Sequence, residues 1–170
     1  MKKIIISFAL ALATMTCFAQ TEQKATVWGV KSDGVTDNTG SIQRAVDFIS
    51  EHGGGTLVFY VGRYVTGAIE LKSNVTIRLE EAAVLVGSTN VYDYKGAPAL
   101  VWSDGAENAC LTGKGVVECR HSALAAFIAS QKEKGFLPEN FSLPGAFSGI
   151  SVGEDIKVLE NTAASTQYKK

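Results

Sequence analysis

Asp33 and Asp37 stand four residues apart in the run Gly29, Val30, Lys31, Ser32, Asp33, Gly34, Val35, Thr36, Asp37. Two carboxyl groups so placed could in principle work as an acid and a base. Their position just ahead of an amphipathic segment gives them a different task, because a helix start needs side-chain acceptors for its unpaired amides. Asp33, Gly34, Thr36 and Asp37 are therefore expected to be turn and cap residues. Glu80 and Glu81, as sequence neighbours, would point to opposite faces of a strand. Gly53, Gly54 and Gly55 could form a phosphate cradle, yet the lysine and serine or threonine that complete such a loop do not follow. His52, His121, Cys110 and Cys119 lack zinc-ligand spacing, so no metal and no cofactor is predicted. Tyr92, Tyr94 and Trp102 are candidates to stack on the rings of a bound ligand.

These residues need elements to hold them. Ile42, Ala45, Val46 and Ile49 fall at i, i+3, i+4, i+7 and predict a helix over 38–51 with one apolar face. The glycine trio stops it, and Thr56 to Val61 then reads as a buried strand. Further on, Asn74, Val75, Thr76, Ile77 is echoed by Asn108, Ala109, Cys110, Leu111 and again by Asp155, Ile156, Lys157, Val158. Each echo is a polar turn residue followed by the period-two pattern of a strand with one buried face. Second strands follow at Ala83 to Val86 and at Val116, Val117. Such coils bury their faces by stacking on one another. The expected fold is all-β: a right-handed, single-stranded parallel β-helix of about three coils, truncated, with the helix capping its N-terminal end. The echo spacings imply insertions near 88–98 and 120–147. The second of these is helical, with Leu124, Phe127 and Ile128 on one face and Gly135 at its end. Alternation turns Cys110 outward and Cys119 inward, which argues against a disulfide between them.

The chain resembles the N-terminal part of the polygalacturonase-like enzymes of glycoside hydrolase family 28 and of the wider pectate lyase superfamily, including its rhamnogalacturonase and epimerase-like members. The resemblance rests on Gly29, Asp33, Gly34, Thr36, Asp37, Thr39, Ile42, Gln43, Ala45 and the glycine trio. It continues through Gly62, Tyr64, Gly67, Ile69, Leu71 to Val75, and a block from Asn108 to Gly115. It departs at Tyr60 and Val61, where the family has a proline, at Ala82, where it has glycine, and at Glu118 and Cys119, where it has an Asp-Gly pair. An inverting glycosidase needs one carboxylic acid to protonate the leaving oxygen and a carboxylate to activate water. The family draws these from Asn-Thr-Asp, Asp-Asp, Gly-His-Gly and Arg-Ile-Lys segments, and this chain contains none of the four. The resemblance thus implies a pectic polysaccharide as partner and glycosidic-bond hydrolysis as the ancestral reaction, with no catalytic residue assigned. The alternative is a non-catalytic secreted β-helix module that binds glycan or a protein.

At 170 residues and 46% hydrophobic composition the chain can bury one core. Met1, Lys2, Lys3, the apolar run Ile4 to Ala13 and the small-residue site ending Phe18, Ala19 read as a secretory signal peptide over residues 1–19, too short to prefer a membrane span. An exported bacterial protein follows, in the periplasm, at the cell surface or in the medium, with a β-helix domain over 20–170. Removing residues 1–19 takes two lysines from 16 basic residues and leaves 14 against 17 acidic ones, a balance of −3 that argues against nucleic acid as partner. An anionic sugar could still meet Lys31, Arg63, Lys72, Arg78 or Lys114. A β-helix that stops mid-stack needs further coils or an oligomeric partner over its last edge.

Overall fold

The computed structural model describes residues 21–159, so the expected signal peptide lies outside the described residues. The backbone winds through thirteen short strands that make three parallel sheets. Sheet one stacks β1 (Thr21–Lys24), β3 (Gly55–Phe59), β6 (Val75–Leu79), β9 (Cys110–Gly113) and β12 (Ser151–Val152). Sheet two stacks β2 (Asp33–Asp37), β4 (Gly62–Thr66), β7 (Ala83–Gly87), β10 (Val116–Glu118) and β13 (Lys157–Leu159). Sheet three stacks β5 (Ile69–Glu70), β8 (Ala99–Trp102) and β11 (Gly145–Ser148). This is an all-β, right-handed parallel β-helix, with three complete three-strand turns between a partial turn at each end.

Alternation along each strand builds the core. Leu57, Ile77 and Leu111 are in register in sheet one, Tyr64, Leu85 and Val117 in sheet two, and Ile69 and Val101 in sheet three. All eight are at most 1% exposed, and each full burial of an aliphatic side chain is worth about 1.5–3 kcal/mol. At the corner before sheet one the chain turns through the left-handed region ahead of β3, β6, β9 and β12. Gly54, Asn74, Asn108 and Gly149 occupy equivalent positions with φ of 95°, 62°, 55° and 69°. Asparagine tolerates this conformation, and the Asn108 side chain donates from Nδ2 to Asn74 Oδ1 at 2.9 Å.

That corner corrects one sequence echo. Asp155 to Val158 does not continue the series of Asn74 and Asn108. Lys157–Leu159 pairs with Val116–Glu118 in sheet two, whereas the sheet-one partner of Cys110–Leu111 is Ser151–Val152. A polar residue followed by apolar, polar, apolar describes strands of either sheet, and only the backbone ladder distinguishes them.

Helix α1 (Thr39–Glu51) buries Ile42, Ala45, Val46 and Ile49 against the open end of the first turns. It also satisfies backbone groups that an edge would leave unpaired. Gln43 Nε2 donates to the Glu70 carbonyl (2.9 Å) while its Oε1 accepts from the Glu70 N–H (3.0 Å), so one amide side chain replaces a neighbouring strand for β5. Thr39 Oγ1 accepts from the Gly67 N–H, and Ser50 Oγ donates to the Ser73 carbonyl. Between sheets two and three the chain inserts a 3-10 turn at Val91–Tyr94 and helix α2 (His121–Glu133), which buries Leu124 and Ile128. Gly145–Ser148, expected within that insertion, belongs to sheet three. Tyr60 and Val61, expected to extend the strand from Thr56, are an exposed turn after β3. No helix among the described residues is long and apolar enough to cross a membrane.

Candidate functional site

The Asp33–Asp37 turn comes first because its carboxylates had the spacing for chemistry. Asp33 accepts from the Val35 and Thr36 N–H groups (2.9 and 2.8 Å) and from Thr36 Oγ1 (2.6 Å). These donors, the Thr36 hydroxyl foremost, hold its pKa down to about 2. Asp37 accepts from the N–H and hydroxyl of Thr39. The helix therefore begins one residue later than expected, and Asn38 is its flanking residue. Asn38 is 1% exposed. Its Oδ1 accepts from the Lys31 N–H, and its Nδ2 donates to the carbonyls of Lys31, Thr36 and Val65. Sequence reading passed over this residue; its place directly after a cap aspartate was the only available sign. Both aspartates are acceptors spent on local hydrogen bonds, and a carboxyl whose pKa is held low, as at Asp33, is ionised and has no proton to donate. Gly53 and Gly54 turn the chain out of the helix with φ of 94° and 95°, and a Cβ at Gly54 or Gly55 would meet a backbone oxygen, of Asn74 and Thr21 respectively, at 2.5 Å.

The aromatic candidates separate. Tyr92 is 49% exposed, meets Phe127 edge-on with centroids 6.2 Å apart, and donates to Gln131 Oε1. Tyr94 is 2% exposed, with its hydroxyl donating to the Ser88 carbonyl at 3.1 Å, and burial pushes its phenol above the usual range. Tyr94 is thus a core residue, and its candidacy for sugar contact is withdrawn. Trp102 ends β8 half-buried; alternation from buried Val101 turns it outward, in register with Glu70 and Ser148.

Three of the five cations weighed for an anionic sugar are tied up. On the outer face of sheet two Arg63 reaches across two strand spacings to Glu118, Nη2 to Oε2 at 2.6 Å, over the outward Val84 and Val86. Glu118 is 8% exposed while the Arg63 side chain is 52% exposed, and nothing in the sequence announced the pair. Arg78 lies between Glu22 and Glu80 at 2.5 and 2.8 Å; the Glu22 bond raises the pKa of the guanidinium and lowers that of Glu22. Lys72 pairs with Glu70 at 2.6 Å. Lys31 and Lys114 are exposed. An open depression of about 470 Å³ between α1 and the corner before β6 is lined by Asp47, Ser50, Glu51, Lys72 and Ser73. Cys119 is buried and Cys110 is half-buried on the outer face of sheet one beside Thr76, where burial raises the pKa of its thiol. No group of three metal-ligating side chains converges among the described residues.

The site is thus an outer surface of stacked coils, rimmed by inserted aromatics and crossed by ion pairs. Comparison with known proteins gives it a lineage. No family model matches the chain. It is 42% identical over 72 residues to an exo-poly-alpha-D-galacturonosidase of Dickeya chrysanthemi, a stretch that covers 42% of this chain and 12% of that enzyme. A crystal structure of a candidate glycosyl hydrolase from Parabacteroides merdae is 39% identical, with a TM-score of 0.77, over 85% of this chain and 77% of that one. The exopolygalacturonase of Thermotoga maritima shares the fold alone, at 21% identity and a TM-score of 0.63 over 82% of this chain; the match spans 42% of that enzyme. With sequence kinship and coil geometry in agreement, the chain belongs to the polygalacturonase-like family of right-handed parallel β-helix proteins, that of glycoside hydrolase family 28 and its pectate lyase relatives.

Proposed function

We propose that this protein is exported and directed at pectic polysaccharide, and that holding the glycan, rather than cutting it, is what residues 21–159 do. The observation that carries the substrate class is the 42% identity with a galacturonosidase, set on a fold whose outer faces are long and open. Export is supported by the signal-peptide pattern of residues 1–19. Binding without cleavage is supported by where the carboxylates are spent. Asp33, Asp37 and Asp47 serve turns or the α1 surface, Asp93 accepts from Ser88 and Asn90, and Glu22, Glu70, Glu80 and Glu118 are in ion pairs. The pKa values displaced among them, those of Asp33 and Glu22, are displaced downward, opposite to what a general acid needs.

The test is polygalacturonate presented to the purified protein, with gel retardation read for binding and reducing ends for cleavage. Retardation with no rise in reducing ends is the expected result. Release of reducing sugar would overturn the binding-only reading, and absence of retardation would overturn the substrate class.

A further inference from the structure

The N-terminal end of the β-helix carries a row of aromatic rings, Phe48 and His52 exposed and Trp28 half-buried against the edge of the core. The buried stripe of α1, Ile42, Ala45, Val46 and Ile49, already closes the core. Beside it runs a second stripe at i, i+4, i+8: Arg44, Phe48 and His52, all on the exposed side. The Phe48 ring is 38% exposed, stacks on His52 with centroids 3.9 Å apart and 22° between planes, and meets Trp28 at 5.1 Å. The Trp28 indole is fixed in turn, its Nε1 donating to Gln23 Oε1 at 2.9 Å. Val27, next to it, is 77% exposed. Rings held in place before a ligand arrives lose little freedom on binding, and an aromatic face suits the C–H face of a pyranose.

Charge selects the kind of glycan. Arg44 stands one helical turn from Phe48 and Lys24 and Lys31 flank Trp28 in sequence; none of the three takes part in the ion pairs found among the described residues, which use Arg63, Lys72 and Arg78. Lys24 instead lies 5.7 Å from the Tyr60 ring centre. The α1 carboxylates Asp47 and Glu51 line the depression beside Lys72. Cations outside any ion pair, together with fixed rings, are the complement of a polymer that alternates sugar faces with carboxylates.

We propose that Trp28, Phe48 and His52, with Arg44 and Lys24, form a surface that holds a segment of anionic polysaccharide at the capped end of the solenoid. This rests on the reading that the protein is polysaccharide-directed, and it places the contact on α1 and the turn before β2 instead of on Tyr92 or Trp102. The experiment is retardation in gels containing polygalacturonate, with dextran gels as the uncharged comparison. Trp28→Ala/Phe48→Ala should weaken binding about tenfold, with the urea midpoint recording that the fold persists. Arg44→Gln should weaken it and flatten its salt dependence, while Phe136→Ala, which removes a 68% exposed ring elsewhere, should leave it unchanged. Should the double variant fail to fold, His52→Ala and Arg44→Gln carry the test from the exposed side of the helix. Wild-type retardation by Trp28→Ala/Phe48→Ala, or loss of binding in Trp102→Ala alone, would overturn the proposal while sparing the substrate class. A wild-type protein that polygalacturonate does not retard would sink both.

Discussion

Gln43→Ala asks whether one side chain really replaces a strand. Its amide makes two hydrogen bonds to the Glu70 backbone at 2.9 and 3.0 Å, at a half-buried position on the first edge of sheet three. A neutral hydrogen bond contributes about 0.5–1.5 kcal/mol net, so losing both costs about 1–3 kcal/mol, with the unpaired edge adding to it wherever water cannot reach. The bond to Asp47 is a local helix contact and adds about 0.2–0.5 kcal/mol. With a urea dependence of about 2 kcal/mol per M, the midpoint should fall by about 1 M while the slope stays constant. Gln43→Glu sharpens the test. The Glu70 N–H keeps an acceptor, but the introduced carboxylate faces the Glu70 carbonyl and the Asp47 carboxylate. Those neighbours favour its protonated form in the folded state, so the folded protein binds the proton more tightly than the unfolded chain. The penalty is therefore present at neutral pH and shrinks as pH falls through the ordinary carboxylate range. A midpoint change below about 0.2 M for Gln43→Ala, or a pH-independent deficit for Gln43→Glu, would refute the edge-replacement argument.

Gly67→Ala should destabilise by about 3 kcal/mol or more in the same assay, because a Cβ there would be driven into the Asp93 carbonyl, which is backbone and cannot swing away. Asn108→Gly should be close to neutral and Asn108→Ala should cost about 1–2 kcal/mol, since the corner needs a left-handed residue at φ 55° and alanine adopts it only with strain. For Asp33 the folded pKa lies below the unfolded one, so its stabilising effect is complete above the ordinary carboxylate value and is lost as pH falls toward about 2. Asp33→Ala should therefore lower the urea midpoint at pH 7 and show a smaller difference from wild type near pH 2. Arg63→Ala should cost about 1–3 kcal/mol by leaving Glu118 unpaired at 8% exposure, with Glu118→Gln in the same background recovering part of the loss in thermal unfolding.

What the amino-acid order determined by itself was everything that depends on near neighbours. The apolar stripe of α1, the glycine stop, the period-two strands and the turn role of Asp33 are local facts, because alternation and capping are settled within a few residues. Asn74 and Asn108 marked a repeating corner for the same reason. Tertiary structure alone decided which strand stacks on which. Asp155 to Val158 carries the right pattern and the wrong sheet, since pairing is chosen by the ladder above and below. It also decided that Tyr94 is buried while Tyr92, two residues away in the same 3-10 turn, is exposed. Gln43 with Glu70, Arg63 with Glu118 and Trp28 with Phe48 are partners 27, 55 and 20 positions apart. Their meeting depends on coil length and insertion size, which a solenoid sets globally and no window of sequence contains.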